Sequence, residues 1–238
     1  MTLDWVLLVQ LAIVSTCLFL LLDYALRFPY PSRVVAPFLP PMKRWPVEQL
    51  WKWVEEGSPD PGFLRFFLRD PERRIPEGDE WIAAVDGTVL AKLTRDQRNF
   101  LVISLNVWDV HVGRMPFAGT ITGYVEHGDI IDSDRSDPLR DEPYYFLRDK
   151  RSPKQRYMEV RTEYGLARIR FITSYLSRRI EFFHPVGSHL EKGQRMGRML
   201  FGSTCVIEVD ERYAFDAEEG QRMVAGETII LKNPVKAP

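Results

Sequence analysis

Gly119-Thr-Ile-Thr-Gly-Tyr-Val125 is a short run of β-branched and aromatic residues punctuated by glycine, a composition typical of a β-strand. Runs of the same kind recur from Trp81 to the end of the chain. Because they are short and separated by glycine-bearing turns, they predict a mainly β fold of the α+β kind, built as one compact antiparallel β domain. The predicted strands are 81–85, 87–90, 119–125, 157–162, 167–172, 199–201, 205–209 and 227–231.

Two glycine-bearing turns within this domain, 189–197 and 219–227, share the string Gly-Gln-Arg-Met. The repetition predicts two similar β hairpins. Their pattern is similar to that of the sandwiched β modules of biotinyl and lipoyl carriers, which constrains the fold more than the function.

Short helices are predicted before the β domain, one starting at Pro46 and one at Phe63 that ends before Pro71. The first is rich in tryptophan, which either lies at a lipid interface or packs inside the protein. The second carries several arginines, which form either a solvated face or a surface for lipid phosphates. The residues concerned are Trp45, Trp51 and Trp53, and Arg65, Arg69, Arg73 and Arg74.

The run from Trp5 to Leu22 is uncharged and about as long as a helix that crosses a bilayer. A cleaved signal peptide is disfavoured because the first four residues are not basic and Leu21-Leu-Asp-Tyr24 offers no small-residue cleavage site. A buried helix of a soluble domain is disfavoured because no stripe of charge gives the run a solvent face. We therefore expect an uncleaved transmembrane helix.

Basic residues follow this run and none precedes it, so the positive-inside rule predicts a single-pass protein of the cell membrane with its soluble domain on the cytoplasmic side. The basic residues are Arg27, Arg33, Lys43 and Arg44. The expected organisation is a transmembrane anchor at 1–27, a proline-rich linker at 28–46 and a soluble domain at 47–238. Within that domain, 132–156 is dense in charge and is expected to be a surface excursion.

The composition and the cysteine count reduce the number of function classes that fit the sequence. The 32 basic and 33 acidic residues give a formal charge of −1, which does not favour nucleic acid as a partner. The two cysteines, Cys17 and Cys205, lie far apart and predict no disulfide framework. Neither a metal-ligand spacing nor a phosphate-binding glycine loop is present in the sequence, so no metal site is expected.

Gly202-Ser203 interrupts the strand-like stretch Arg198–Val206 and is the most informative dipeptide of the chain. Glycine leaves its carbonyl approachable, and the serine beside it supplies a hydroxyl that can attack that carbonyl. Such an N-to-O acyl shift, followed by β-elimination and hydrolysis, would leave an N-terminal pyruvoyl group. Taken alone, Gly-Ser between strands is more often an ordinary turn.

Five ordered blocks give this dipeptide its context. With them, the sequence resembles the phosphatidylserine decarboxylase family, and in particular its short bacterial and archaeal members, over nearly the whole region after the linker. The blocks are Phe67-Leu-Arg-Asp-Pro-Glu-Arg-Arg-Ile-Pro76, Ala84-Val-Asp-Gly-Thr-Val89, Leu105-Asn-Val-Trp-Asp-Val-His-Val-Gly-Arg-Met-Pro116, Leu200-Phe-Gly-Ser-Thr204 and Val224-Ala-Gly-Glu-Thr-Ile-Ile230.

The resemblance implies a proenzyme that cleaves itself between Gly202 and Ser203, so that two subunits arise from one chain and Ser203 becomes a covalent pyruvoyl cofactor. It implies that Asp86 and His111 assist cleavage, and that His111 returns a proton after carbon dioxide leaves. Long members of the family carry a second histidine where this chain has Arg114. Whether His111 serves both cleavage and turnover is therefore open. No role is expected for His127, His184 or His189.

The implied partners are a membrane and a phospholipid substrate, phosphatidylserine, which would be converted to phosphatidylethanolamine. A different serine-headed lipid, archaetidylserine, is an alternative because its reacting amine and carboxylate are the same. A membrane-anchored, carrier-like adaptor without activity is another, although Gly-Ser-Thr stands where a carrier needs a lysine. An inactive family member is disfavoured because Asp86, His111 and Ser203 are all present. Homo-oligomer formation stays open.

Overall fold

The computed structural model describes residues 4–27, 31, 34–127, 155–173, 179–200 and 202–236. The chain divides into two compact units, Met1–Arg65 and Phe66–Pro238. Nearly all of the charged excursion expected at 132–156 lies outside the described residues.

The N-terminal unit is helical. Its elements are α1 (Trp5–Arg27), a 3-10 helix η1 (Ala36–Phe38), α2 (Pro41–Arg44) and α3 (Val47–Glu56), and α4 (Pro61–Phe67) continues across the unit boundary. Asp4 begins α1, because its carboxylate accepts the backbone N–H groups of Val6 and Leu7 at 3.1 and 3.3 Å. None of the residues of α1 is buried, and by length and composition α1 can cross a membrane.

The proline-rich segment 28–46, predicted to be a linker, contains two helical turns, η1 and α2. Proline is compatible with the first positions of a helix, where its missing N–H is not needed and its φ is already suitable. Arg44 holds the two helical turns together by donating to the carbonyls of Ala36 and Leu39 at 2.7 and 3.0 Å.

Two of the three tryptophans named above support the packing alternative. Trp45 is buried and meets Phe63 edge to face with ring centroids 5.7 Å apart, and Trp53 lies 5.8 Å from the same ring. These two tryptophans pack inside the unit. Trp51 is exposed.

The second unit consists of antiparallel strands, which confirms the predicted mainly β fold. An eight-stranded sheet has the order β12-β2-β3-β11-β7-β6-β5-β9, a three-stranded sheet the order β4-β10-β8, and β1 pairs with β13. The strands are β1 (Trp81–Ile82), β2 (Gly87–Arg95), β3 (Arg98–Ser104), β4 (Val112–Arg114), β5 (Gly119–His127), β6 (Gln155–Thr162), β7 (Gly165–Thr173), β8 (Arg179–Phe182), β9 (His189–Leu190), β10 (Arg195–Leu200), β11 (Gly202–Asp210), β12 (Arg222–Met223) and β13 (Ile229–Leu231).

Strand β11 lies in the middle of the large sheet, paired with β3 on one side and β7 on the other. Its side chains alternate between two apolar clusters. Cys205 and Ile207 belong to the main core, whereas Val206 packs on the other face with Phe100 and Ile172. Since burying one such side chain stabilises the fold by about 1.5–3 kcal/mol, apolar contacts on both faces hold β11 firmly in the sheet.

The two Gly-Gln-Arg-Met strings form matching turns, although the strands beside them pair with other strands and do not form the two predicted hairpins. Gly193 and Gly220 adopt φ values of +79° and +80°, a region that favours glycine. In each turn the glutamine side chain accepts a backbone N–H three residues earlier at 2.9 Å. In each turn the methionine is fully buried. The arginines of the two turns differ in their partners, and this difference bears on the site.

Candidate active site

Two of the three residues expected to do chemistry, Asp86 and Ser203, lie at one end of the large sheet. Thr88 of β2 pairs with Ser104 of β3, and Ser104 pairs with Thr204 of β11. Asp86 comes two residues before Thr88, and Ser203 immediately precedes Thr204. Because neighbouring strands lie about 4.8 Å apart, the backbones at Thr88 and Thr204 are separated by roughly 10 Å.

Ser203 occupies an irregular position in its strand. Gly202 pairs with Thr173 and Thr204 pairs with Ile172, so two steps along β11 match one step along β7. Ser203 is therefore the extra residue of a register shift, where the regular ladder of a sheet is interrupted. The start of the central strand is thus locally irregular at the dipeptide that the sequence singled out.

His111 is held beside β10, the strand that comes before β11 in the chain, by its backbone, and its ring has partners of its own. Its carbonyl accepts the N–H of Met199 at 3.1 Å, four residues before Ser203 in the chain. Its side chain is buried, with the residue 2% exposed, and its ring centroid lies 4.2 Å from that of Phe67. Its Nδ1 lies 2.9 Å from the backbone carbonyl oxygen of Asp109. A carbonyl can only accept, so Nδ1 carries the hydrogen and Nε2 is the basic nitrogen of the neutral ring.

Asp109 is itself fixed by two partners. Its carboxylate accepts the backbone N–H of Asn106 at 2.7 Å and the guanidinium of Arg222, with Nη1 at 3.2 Å and Nη2 in a second, shorter contact. The hydrogen bond to Asp109 raises the pKa of Arg222, and the negative charge of Asp86 adds to the effect. The Asp109 side chain is only 8% exposed, so Arg222 neutralises a buried carboxylate.

Asp86 has its own set of partners, separate from those of Asp109. Arg73 Nη2 donates to both of its carboxylate oxygens, at 2.9 and 3.0 Å, and the backbone N–H of Ala225 donates to Oδ1 at 2.8 Å. Both side chains of the ion pair are about one tenth exposed. Asp86 therefore joins the segment that contains Arg73 to the turn before β13.

Comparison with known proteins assigns the chain to a family. A phosphatidylserine decarboxylase family model matches residues 62–231. The chain belongs to this family. A phosphatidylserine decarboxylase proenzyme of Solibacter usitatus is 31% identical over 171 residues, which is 71% of this chain and 78% of the relative. One from Thermobifida fusca is 33% identical over 168 residues, 69% of this chain and 71% of the relative. A Methanosarcina mazei protein named for an archaetidylserine decarboxylase proenzyme is 31% identical over 171 residues, 70% of this chain and 74% of the relative.

Arg114, which stands where long members of the family have a second histidine, makes structural contacts. Its guanidinium donates to the carbonyls of Gly193 and Pro71 at 3.1 and 3.0 Å and to Asp70 at 3.1 Å. Burial lowers its pKa, and Asp70 opposes that effect. Because an arginine remains protonated in proteins, Arg114 is suited to holding these segments together and not to transferring protons.

The arginines that precede the β domain also bind the protein. Arg69 donates to the carbonyl of Trp108 at 2.6 Å and lies over the ring of Phe66, and burial lowers its pKa. Arg73 forms an ion pair with Asp86, as described above. Two of the four arginines, Arg69 and Arg73, therefore bind groups of the protein itself. Arg65 is exposed.

Two neighbours of the candidate residues, Asp109 and Arg222, could not be predicted from the sequence. Asp109 stands within one of the five family blocks without an expected role, and the contact of its carbonyl with His111 depends on the fold. Arg222 was noted only within a repeated turn. The one signal that could have found it is that repeat, which predicts two equivalent arginines and so raises the question of their partners. Cys205, next to the site, is a core residue whose burial raises the pKa of its thiol.

Proposed function

We propose that this chain is a proenzyme that cleaves itself between Gly202 and Ser203 and then decarboxylates phosphatidylserine to phosphatidylethanolamine. The observation that carries the proposal is the position of Ser203, at a register shift of the central strand β11 and at the sheet end where Asp86 also lies, with His111 hydrogen-bonded to the preceding strand β10. Family membership supplies the reaction class.

Self-cleavage requires a base close to Ser203. The hydroxyl oxygen of Ser203 attacks the carbonyl carbon of Gly202, its proton passes to the departing amide nitrogen, and an ester replaces the peptide bond. Removal of the Cα proton of Ser203 then expels the Gly202 carboxylate. Water enters and ammonia leaves, which gives a new N-terminus that carries two adjacent carbonyls. His111 is the proposed base, since its Nδ1 is committed to Asp109 and its Nε2 is the nitrogen that can take a proton.

The residues fit a pyruvoyl group derived from Ser203, because a serine follows a glycine at an irregular strand start and the backbone of an oriented histidine, His111, is hydrogen-bonded to the preceding strand β10. When formed, the group supplies a carbonyl that condenses with the substrate amine and accepts electron density as carbon dioxide leaves. We assign to His111 the return of a proton to the substrate carbon. The burial of this imidazole keeps water away from that proton transfer.

The contacts of residues 203–236 explain how two subunits could stay together after cleavage. Strand β11 is paired on both sides by strands of the larger subunit, and β13 pairs with β1. Arg222 and Ala225 of the small subunit bind Asp109 and Asp86 of the large one. Cleavage would thus remove one peptide bond and leave the sheet intact.

We further propose that α1 anchors the enzyme in the cell membrane as a single pass, with residues 28–238 on the cytoplasmic side. The support is the length and apolar composition of α1 and the basic residues that follow it. An anchor of this kind keeps the catalytic unit near its lipid substrate. Family membership argues against the alternative of a carrier-like adaptor.

A second substrate, archaetidylserine, is favoured by the name of the Methanosarcina mazei relative. The test uses the purified full chain with vesicles that contain either serine lipid, labelled in the serine carboxyl group. Release of labelled carbon dioxide from phosphatidylserine supports the proposal. Release from archaetidylserine alone would reassign the substrate, and release from neither would contradict the proposed reaction.

A further inference from the structure

We propose that Arg222 is a positioning residue for His111 and that it acts through Asp109. The proposal rests on the role given to His111 in the proposed function. Arg222 lies C-terminal to the cleavage site, and no motif in the sequence indicates that it takes part in the chemistry.

The path consists of three consecutive contacts. Arg222 binds the Asp109 carboxylate through both of its terminal nitrogens, Asp109 is also held by the N–H of Asn106, and the Asp109 carbonyl lies 2.9 Å from His111 Nδ1. The carbonyl fixes which ring nitrogen carries the hydrogen and which way the ring faces. Whatever holds the Asp109 backbone in place therefore also holds the imidazole.

The matching turn provides an internal comparison. Arg195 occupies the same place in the first Gly-Gln-Arg-Met turn, and it binds Asp70 and Glu72, whose side chains are 29% and 89% exposed. Arg222 binds a carboxylate that is 8% exposed. The same local structure thus presents one arginine to surface carboxylates and the other to a buried one beside His111. An exposed ion pair contributes little, whereas a buried carboxylate that loses its partner must find water or rearrange.

Cleavage gives the contact a second consequence. Arg222 would belong to the fragment that begins at Ser203, and Asp109 and His111 to the other fragment. The ion pair therefore ties the proposed base to the fragment that carries its target. This contact is made by side chains and does not depend on the peptide bond that is lost.

The experiment measures the rate of self-cleavage of the full chain after synthesis, followed by gel or mass spectrometry, together with thermal unfolding. We expect Arg222→Ala to slow cleavage by roughly 10- to 100-fold, since a displaced catalytic group costs rates of this order. Arg222→Lys should recover part of the rate, because lysine restores the charge without the two-pronged donor. The matched control is Arg212→Ala. Arg212 also lies in the small fragment and in an ion pair, and its side chain is 50% exposed against 52% for Arg222.

A double-mutant comparison separates positioning from general destabilisation. If Arg222 acts through His111, Arg222→Ala should change the cleavage rate of a His111→Ala chain by less than about twofold. The same comparison in an Asp109→Ala chain keeps the test readable where His111→Ala cleaves too slowly to follow. If Arg222→Ala lowered the cleavage rate by the same factor with and without Asp109 or His111, the inference about Arg222 would be overturned, and the proposed function would stand. A wild-type chain that never cleaves would overturn the proposed function, and this inference with it.

Discussion

The two units of the chain are stabilised in different ways. In the N-terminal unit, helix α1 has no buried residue along its 23 positions. In the second unit, Cys205 and Ile207 of the central strand are completely buried. The second unit thus contains its own apolar core, whereas α1 has an apolar surface that only a lipid bilayer or another apolar partner can cover. The difference places the proposed chemistry in the second unit and gives the first unit the proposed role of membrane anchor.

The strongest test of this division replaces the proposed nucleophile within the second unit. Ser203→Ala should abolish both self-cleavage and decarboxylation, because alanine has no hydroxyl to attack Gly202 and cannot become a pyruvoyl group. The measurement is the fragment pattern on a denaturing gel and the release of carbon dioxide. Ser104→Ala is the matched control, since Ser104 pairs with Thr204 at the same sheet end. It should still cleave. Cleavage that persists in Ser203→Ala would remove Ser203 from the mechanism.

A smaller effect is expected at the proposed base. His111→Ala should slow self-cleavage by about 10²–10⁴, the usual contribution of a positioned proton-transfer group. Any fraction that matures should still form a covalent lipid adduct on borohydride reduction, because adduct formation needs the ketone and the amine, and yet it should release product slowly.

The matched histidine control is His189→Ala. The His189 side chain is exposed, with Thr120 and Glu191 as its neighbours. We expect it to cleave and turn over at the wild-type rate. If His111→Ala did the same, His111 would have no catalytic role, and the proton donor would have to be sought elsewhere.

The smallest effect on cleavage is expected for a deletion in the N-terminal unit. Deleting residues 1–26 should release the protein from membranes and leave the rate of self-cleavage unchanged, since Asp86, His111 and Ser203 all lie in the second unit. Activity on lipid vesicles should fall more than activity on a short-chain soluble substrate. The measurements are sedimentation with vesicles and the two activities. A truncated chain that sediments as fully as the whole one would show that α1 is not the anchor.

The strands that the sequence predicted are those with β-branched runs and glycine boundaries, such as β5 and β7. Strand β3 was missed. Its centre, Phe100-Leu-Val-Ile103, is buried on both faces and shows no alternation, so periodicity could not distinguish it from a buried helical segment. The short strands β4, β8, β9 and β12 were also missed, because two to four residues carry too little pattern.

The candidate residues of the site could be named from motifs, but their partners could not. Asp86 and His111 were expected to act with Ser203 as one group. In the structure, Asp86 binds Arg73 and the backbone of Ala225, whereas His111 Nδ1 contacts the Asp109 carbonyl. These contacts join residues up to 139 positions apart. Such pairing depends on strand order, which the sequence pattern of single segments does not determine.

The most direct test of the account is the intact mass of the purified full-length chain, measured under denaturing conditions after native expression. The account predicts two fragments, residues 1–202 and 203–238, with the small fragment resistant to Edman degradation because a ketone replaces its terminal amine. A single species at the 27.8 kDa of the whole chain, in protein that is natively folded, would contradict it.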